Sequence, residues 1–356
     1  MHPQDASLLM QLPQELRDEI YAHVFFSTRL ASGARSTARF GGDQEVRSAP
    51  HALALLRTCR RVHAEIGTRW LHMVLFSFET PKALLDKLTN VSIATRSLIR
   101  HVRVSGLPLV LSLEEDDLYY RTLAVDKLLP GLQLDRLTVL GTRSDKISYE
   151  TLTNLIRDSD GWKELYYVTH NSAFLGYKDN WGGFDESEPD PYLRVPQPAG
   201  WQAILDARDG AASQPSVTIY RATDPDRPCS VLHAHLQARE PFVQRLAAGQ
   251  TLATFGTTED AVLMQTGQRE REMLVVAKRG QGVDYQEKEN SPFLDDDIRK
   301  EMSGMTWKQF QAMYAGDDED WPSRDGEDGQ SKKPLLVDAY KHVDDYVWPP
   351  DYFINE

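Results

Sequence analysis

The stretches LPQELRDEIY (residues 12–21) and LLRTCRRVHAEI (residues 55–66) carry the clearest structural pattern in this chain of 356 residues. Both predict short amphipathic helices. In the first, Pro13 suits the opening turn of a helix, where its missing N–H is not needed, and the acidic residues after it complement the positive end of the helix dipole. We expect this helix to run to about Phe25.

The first helix is predicted to have one apolar side. Leu16, Ile20 and Val24 recur every fourth residue, a spacing that brings them onto one face of an α-helix. We expect the charged residues Arg17 and Asp18 to stay in solvent on the other side.

The second helix is predicted to begin near His51, and the residues between the two helices predict a flexible loop. Residues 27–50 contain Ser, Gly, Ala and Arg with almost no periodic apolar signal. The second helix has apolar and semi-polar positions three and four residues apart, at Leu56, Cys59, His63, Ile66 and Trp70. Val74, Phe76 and Phe78 then alternate as in a strand, and Thr80-Pro81 predicts the capped start of another helix.

From about residue 98 the pattern changes to alternating strands and helices. Such an order implies crossover connections and parallel strands. The expected strands are 99–104, 134–140 and 165–168, and the expected helices are 119–129 and 148–157. Beyond them we predict helices at 201–208 and 298–314 and strands at 217–220 and 273–276. The spacing resembles an irregular leucine-rich-repeat array, so the predicted fold class is α+β, with a helical module before an α/β body that has a mostly parallel sheet.

Composition shifts give the expected domain organisation. A helical module covers residues 1–80, and an α/β body covers 81–315 with a long internal loop at 176–200, which is rich in Gly, Asp, Glu and Pro. Residues 316–333 have almost no apolar side chains and predict an acidic disordered linker. Residues 334–356 form an aromatic C-terminal tail.

The charge balance excludes some classes of partner. With 40 basic and 53 acidic residues the formal net charge is -13, which disfavours nucleic acids and anionic membrane surfaces. Two cysteines cannot form a disulfide framework, and no apolar stretch is long enough to span a bilayer. We therefore expect a cytoplasmic or nuclear protein that binds neither nucleic acid nor membrane.

The paired helices resemble the F-box-like N-terminal modules of a large family of filamentous-fungal proteins. That pattern has a Leu-Pro-x-Glu-Leu-Arg-x-x-Ile-Tyr start, a Leu-Leu-x-x-Cys-Arg-x-x-x-x-Glu helix and a Leu-Phe-x-Phe-like strand, and it matches about the first fifth of this chain. Two features depart from the usual F-box, namely the long 27–50 segment and His63 at a position where a tryptophan is usual.

The resemblance implies a partner and a surface. F-box modules bury a helical face against the Skp-type adaptor of a cullin-RING ubiquitin ligase, while a C-terminal domain selects a protein substrate. On this sequence the adaptor-facing residues would be Leu12, Pro13, Leu16 and Ile20. Four more would contribute to that surface or to the module's own core: Leu56, Cys59, Val62 and Ile66.

Two alternatives remain open from the residues alone. In one, the chain is a stand-alone scaffold and the same helices are simply core. In the other, Arg221, Thr257, Thr258 and Glu272 are similar to the arginine, hydroxyl and Glu-x-Glu elements of ADP-ribosyltransferases. There Arg221 would clamp phosphates and Glu272 would stabilise an oxocarbenium-like ribose.

No cofactor or metal site is predicted. His233 and His235 offer two imidazoles, but Cys229 alone does not complete a zinc site, and no phosphate-binding glycine motif occurs. The one basic stripe consists of arginines 57, 60, 61 and 69, with few aromatics between them. An acidic partner, or the chain's own acidic tail, explains this stripe better than nucleic acid does.

Overall fold

The computed structural model describes residues 7–37, 42–113, 116–120, 125–142, 144–178, 193–224, 230–232, 238–294 and 297–314. Several predictions therefore lie outside the described residues. They concern the acidic linker, the aromatic tail, most of the 176–200 loop, and the residues Cys229, His233 and His235.

A nine-stranded sheet forms the centre of the protein. Its order is β10-β9-β11-β8-β7-β4-β3-β1-β2, and β5 and β6 form a separate hairpin. The strands are β1 Arg29–Thr37, β2 Gly42–Arg47, β3 Leu75–Phe78, β4 His101–Ser105, β5 Leu109–Leu113, β6 Asp116–Tyr120, β7 Leu134–Leu140, β8 Trp162–Thr169, β9 Ser216–Ala222, β10 Arg239–Phe242 and β11 Met273–Lys278.

The α-helices are short, apart from α2, α6 and α8. They are α1 Leu8–Gln11, α2 Gln14–Phe26, α3 Arg60–Ile66, α4 Pro81–Leu88, α5 Ile93–Arg96, α6 Asp145–Asp158, α7 Ala173–Gly176, α8 Ala199–Asp209, α9 Leu252–Thr257, α10 Ile298–Met302 and α11 Trp307–Met313. Thr80 caps α4 by accepting a hydrogen bond from the Ala83 backbone N–H, as its sequence predicts. No helix within the described ranges is both long and apolar enough to cross a membrane.

The sheet is mixed, so the expectation of a mostly parallel sheet is wrong. The pairs β1·β3, β3·β4, β4·β7 and β7·β8 are parallel. The pairs β8·β11, β11·β9, β9·β10 and β1·β2 are antiparallel. The predicted alternation is confirmed for β4, β7, α6 and β8. Beyond β8, no local sequence pattern predicts the direction of β9 and β11, which only their pairing in the sheet decides.

The segment 27–50, predicted to be a flexible loop, instead contributes β1 and β2 to the sheet. Arg29 pairs with Leu75 and Ser32 with Phe78, while β2 pairs back on β1 as a hairpin. Within the described part of the chain β2 is an edge strand, and edge strands often carry polar and charged side chains, which explains the missing apolar periodicity. The sheet also includes strands from both sides of residue 80, where the helical module was expected to end, since β3 pairs directly with β4.

Three predicted helices differ in the structure. The second helix is divided into a 3-10 turn at Ala54–Arg57, the helix α3 and a 3-10 turn at Arg69–His72. Tyr119 and Tyr120, expected in a helix, lie in β6. The expected helix 298–314 is divided into α10 and α11, because Ser303 and Gly304 adopt positive φ angles of 43° and 82°.

The two faces of the sheet differ in chemistry. The first face carries the apolar side chains of the main core, including Val102, Leu137, Leu165 and Ile219, and α4, α6 and α8 add apolar side chains to the same core. Residues that alternate with these along the strands point to the second face, which is largely polar. A smaller apolar cluster around Val231 and Leu274 lies at one end of this second face.

We predict that the N-terminal strands and the body unfold together, because β3 and β9 belong to one sheet with β7 between them. Leu137→Ala in β7 should lower the free energy of unfolding by about 2–5 kcal/mol. Urea titration followed by hydrogen exchange should show β3 and β9 losing protection together. The exposed Val243→Ala is the control and should change stability by less than about 0.5 kcal/mol. Loss of protection in β9 while β3 stays protected would contradict one cooperative sheet.

Candidate functional site

One side of α2 is buried against a second, smaller core. Tyr21 and Phe25 pack with Val62, Ile66 and Val74, all of which are almost fully buried. Phe25 and Tyr21 are one helical turn apart, so they fix the inward side of α2.

Arg17 also lies on the buried side of α2, so the expectation that it stays in solvent is wrong. Its guanidinium is buried and binds Glu65 through two hydrogen bonds, from Nε to Oε2 at 3.0 Å and from Nη2 to Oε1 at 2.6 Å. Tyr21 Oη donates to the same Oε2 at 3.0 Å, and Arg61 Nε donates to Oε1 at 3.0 Å. Arg17 lies in the first and Glu65 in the second of the two stretches quoted at the start of the sequence analysis, and here they join α2 to α3.

These donors change the acidity of Glu65. The hydrogen bonds from Arg17, Arg61 and Tyr21 outweigh desolvation and lower the pKa of Glu65 from 4.5 to about 2. A second ion pair, from Arg69 to Asp18 at 2.9 Å, lies near the surface on the same side. Helix α2 is thus held at several points along its length.

The predicted apolar residues of α2 face solvent. Leu16 is 46% exposed, Ile20 37% and Val24 38%. Of the other two predicted contact residues at the helix start, Pro13 is exposed and Leu12 is half-buried. We call Leu12, Pro13, Leu16, Ile20 and Val24 the α2 stripe. The structure brings these residues together as one surface that nothing else in the described chain covers fully.

The four residues predicted on the second helix do not extend this surface. Val62 and Ile66 are each 2% exposed, so they belong to the module's own core and cannot be partner-binding residues. Leu56 and Cys59 are half-buried and pack against the same core. Cys59 also caps α3, because its Sγ accepts a hydrogen bond from the Val62 N–H at 3.5 Å.

Exposed charges of both signs lie on α2 and close to the start of α3. Glu15 and Glu19 are exposed on α2, Arg57 is exposed at the end of the 3-10 turn before α3, and Arg60 is exposed at the start of α3. The other two arginines of the predicted basic stripe, Arg61 and Arg69, are engaged with Glu65 and Asp18. An apolar centre with a charged rim is typical of a protein-binding surface.

The transferase constellation is not assembled. Arg221 pairs in register with Met273, whose side chain lies in the main core on the first face, and it forms an ion pair with Glu240 at 2.8 Å. Glu272 precedes Met273 and therefore points to the second face, where it hydrogen-bonds the Val231 backbone. The sheet separates the two side chains.

The ionisation of Glu272 also differs from what the transferase role needs. The residue is buried, one of its carboxylate oxygens has no hydrogen-bond partner among the described residues, and burial raises its pKa to about 8. It is therefore mostly neutral at pH 7, whereas stabilisation of an oxocarbenium ion needs a carboxylate. Thr257 and Thr258 lie exposed at the end of α9.

A metal site is likewise not formed in the described part of the chain. No group of three or more His, Cys, Asp or Glu side chains there is arranged to hold an ion. Comparison of the chain with protein families, with curated proteins and with solved structures found no match. The geometry of the α2 stripe is thus the observation that bears most directly on function.

We predict that Glu65→Gln destabilises the protein by about 1–3 kcal/mol, because it leaves a buried guanidinium without its carboxylate. Urea unfolding measures the change. Glu19→Gln, on an exposed carboxylate of α2, is the control and should change stability by less than about 0.5 kcal/mol. Equal effects of the two substitutions would contradict a structural role for the Arg17–Glu65 pair.

The same pair predicts a dependence on pH. Since the pKa of Glu65 is lowered from 4.5 to about 2 in the folded protein, its contribution is complete above about pH 4.5 and is lost as the pH falls towards 2. The stability difference between the wild type and Glu65→Gln should therefore shrink across that range. Urea unfolding of both proteins between about pH 6 and about pH 2.5 measures it. A difference that stays constant would show that the carboxylate does not gain from the pair.

Proposed function

We propose that this chain is a non-enzymatic, F-box-type substrate receptor that joins the Skp-type adaptor of a cullin-RING ubiquitin ligase to a protein substrate. The α2 stripe would bind the adaptor, and the body would select the substrate. The protein would act in the cytoplasm or nucleus without a cofactor. The observation that carries the proposal is the exposed α2 stripe on a helix whose neighbouring side is held in place by Arg17, Tyr21 and Phe25.

The energetics of the α2 stripe support docking. Full burial of a Leu, Ile or Val side chain is worth roughly 1.5–3 kcal/mol, and Leu16, Ile20 and Val24 each keep more than a third of their surface exposed. Because α2 is already ordered, a partner does not need to fold the helix before binding it. Less of the binding free energy is then lost to ordering the helix, which favours tighter binding.

The rest of the chain is compatible with a leucine-rich-repeat-like body, which we include in the proposal. The strands β3, β4, β7 and β8 are parallel neighbours in the order of the chain, and α4 and α6 lie on the core side between them. Repeats of this kind present broad surfaces to protein ligands. The overall charge of -13 favours a protein substrate over nucleic acid or an anionic membrane.

The scaffold alternative has less support from the geometry. It requires Leu16 and Ile20 to be core residues, and both are exposed in the described chain. Only Val62 and Ile66 of the eight predicted contact residues are fully buried. The two hypotheses therefore differ in what a charge on the α2 stripe should do.

We predict that Ile20→Asp weakens binding of a purified Skp-type adaptor by at least about tenfold, because an aspartate would have to be desolvated in an apolar interface. Titration calorimetry with the full chain measures the affinity. The matched control is Ile147→Asp, which changes an isoleucine of similar exposure, 36% against 37%, at the start of α6. It should bind like the wild type.

A stability measurement separates the hypotheses. If Ile20 is a docking residue, Ile20→Asp should keep the urea midpoint of the wild type. If Ile20 is a core residue, as the scaffold hypothesis requires, the substitution should lower the free energy of unfolding by several kcal/mol. Failure of the wild-type chain to bind the adaptor would remove the proposed function.

A further inference from the structure

The second face of the sheet carries a band of basic side chains. Strand register brings Arg29 of β1, Arg103 of β4, Arg136 of β7, Lys278 of β11 and Arg239 of β10 to this side. Among the described strand residues of this face, Glu164 is the acidic side chain that opposes them, and it pairs with both Arg136 and Lys278. We call these five cations and the residues between them the basic face.

The basic face also has aromatic and apolar components. The Arg136 guanidinium lies 4.0 Å from the centre of the Tyr166 ring, and Arg239 lies 4.3 Å from that of Tyr220. Leu75 of β3 points to the same side and is buried, although it lies outside the apolar clusters that the described residues form. Such a surface suits a ligand that combines carboxylates with aromatic side chains.

The groups around His101 show how positive the basic face is. His101 lies at its β4 end, next to the ring of Phe26 at the close of α2. Burial, together with the charges of Arg136 and Arg100 and the nearby His72, lowers the pKa of His101 to about 3. The imidazole is therefore neutral at physiological pH, and the positive charge of the face comes from its arginines and Lys278.

The chain has a complementary segment of its own. Residues 315–356 contain twelve acidic and four basic residues and six aromatic ones, among them Trp348 and Tyr352. The described chain ends near β1, β3 and β4, on the first face of the sheet. Helix α11 packs on α4 there, and Trp307 Nε1 donates a hydrogen bond to Asp86 at 2.7 Å. Helix α4 contacts β1, β3 and β4. Forty-two residues, at up to about 3.3 Å each, are long enough to pass around the sheet edge.

We propose that the acidic C-terminal segment, residues 315–356, packs across the basic face of the same molecule. The arginines and Lys278 bind its carboxylates, and Tyr166, Tyr220 and Leu75 contact its aromatic side chains. The segment thereby competes with any other acidic ligand for this face. This contact is independent of the adaptor-binding proposal, because the α2 stripe does not take part in it.

Zero-length carbodiimide cross-linking of the full chain tests the contact. Lys278 is 51% exposed and should form amides with Glu164, its neighbour at 2.9 Å, and with carboxylates of residues 338–351. The Glu164 product is the internal positive control. Lys288 is the matched control lysine, since it is exposed and paired with Asp284 at 2.8 Å; it should link to Asp284 and not to the C-terminal segment. Lys278→Arg keeps the charge and should remove only the Lys278 products.

Isotope mixing distinguishes the possible occupants. In an equal mixture of labelled and unlabelled protein, contact within one molecule gives only unmixed cross-links. Mixed products would show that the segment of a second copy is bound, and Lys278 linked to Glu164 alone would show that the segment does not occupy the face. Either result overturns the proposal.

Hydrogen exchange of the full chain provides the second measurement. The backbone of residues 335–354 should be protected in the wild type, and Lys278→Glu should raise its exchange rate by about threefold to tenfold, as expected for reversing one charge in a partly exposed contact. Lys288→Glu should leave the rate unchanged. Exchange of this segment at the rate of an unfolded peptide in the wild type would rule out the contact.

Discussion

The bidentate pair between Arg17 and Glu65 determines which side of α2 the protein buries. With Tyr21 donating to the same carboxylate and Phe25 one turn further in the small core, the rotation of the helix about its axis is fixed. The apolar residues Leu16, Ile20 and Val24, on the neighbouring side of the helix, then remain partly exposed to solvent. A charged side chain is thus at the centre of an interface, and an apolar row is at the surface, because Glu65 and the Leu12 carbonyl accept hydrogen bonds from the buried Arg17 guanidinium.

The sheet applies a similar constraint to the rest of the chain. Strand alternation sends apolar side chains to the first face, where α4, α6 and α8 contribute to the same core, and polar side chains to the second. This separation places Arg221 and Glu272 on opposite sides, so the one enzymatic arrangement suggested by the sequence is not assembled. It also gathers arginines from distant strands into the basic face. The α2 stripe is therefore set by the rotation of α2 about its axis, and the basic face is set by the alternation of side chains along the strands.

Local sequence patterns predicted many of the elements. The starts of α2 and α4, the strands β4, β7 and β8, and helix α6 all follow from periodicity and capping residues. The hairpin β1–β2 was missed because its strands are polar, and the edge position removes the need for apolar residues on both faces. The division of the second helix was missed as well, since its apolar spacing continues through Cys59, where α3 begins anew with a cap. A helical spacing of Arg17, Tyr21 and Phe25, together with Glu65 downstream, was the signal that could have identified the inward side of α2.

The sequence by itself determined that α2 is a helix, that strands and helices alternate from β4 to β8, and that a large part of the negative charge lies near the C-terminus. Each of these depends on neighbours along the chain, whose spacing is fixed by backbone geometry. The tertiary structure decided which side of α2 is buried, in which direction the strands after β8 run, and which arginines lie together on the second face of the sheet. These features depend on contacts between residues far apart in sequence, such as Arg17 with Glu65 and β4 with β7. The free energies of such contacts cannot be inferred from the spacing of neighbouring residues.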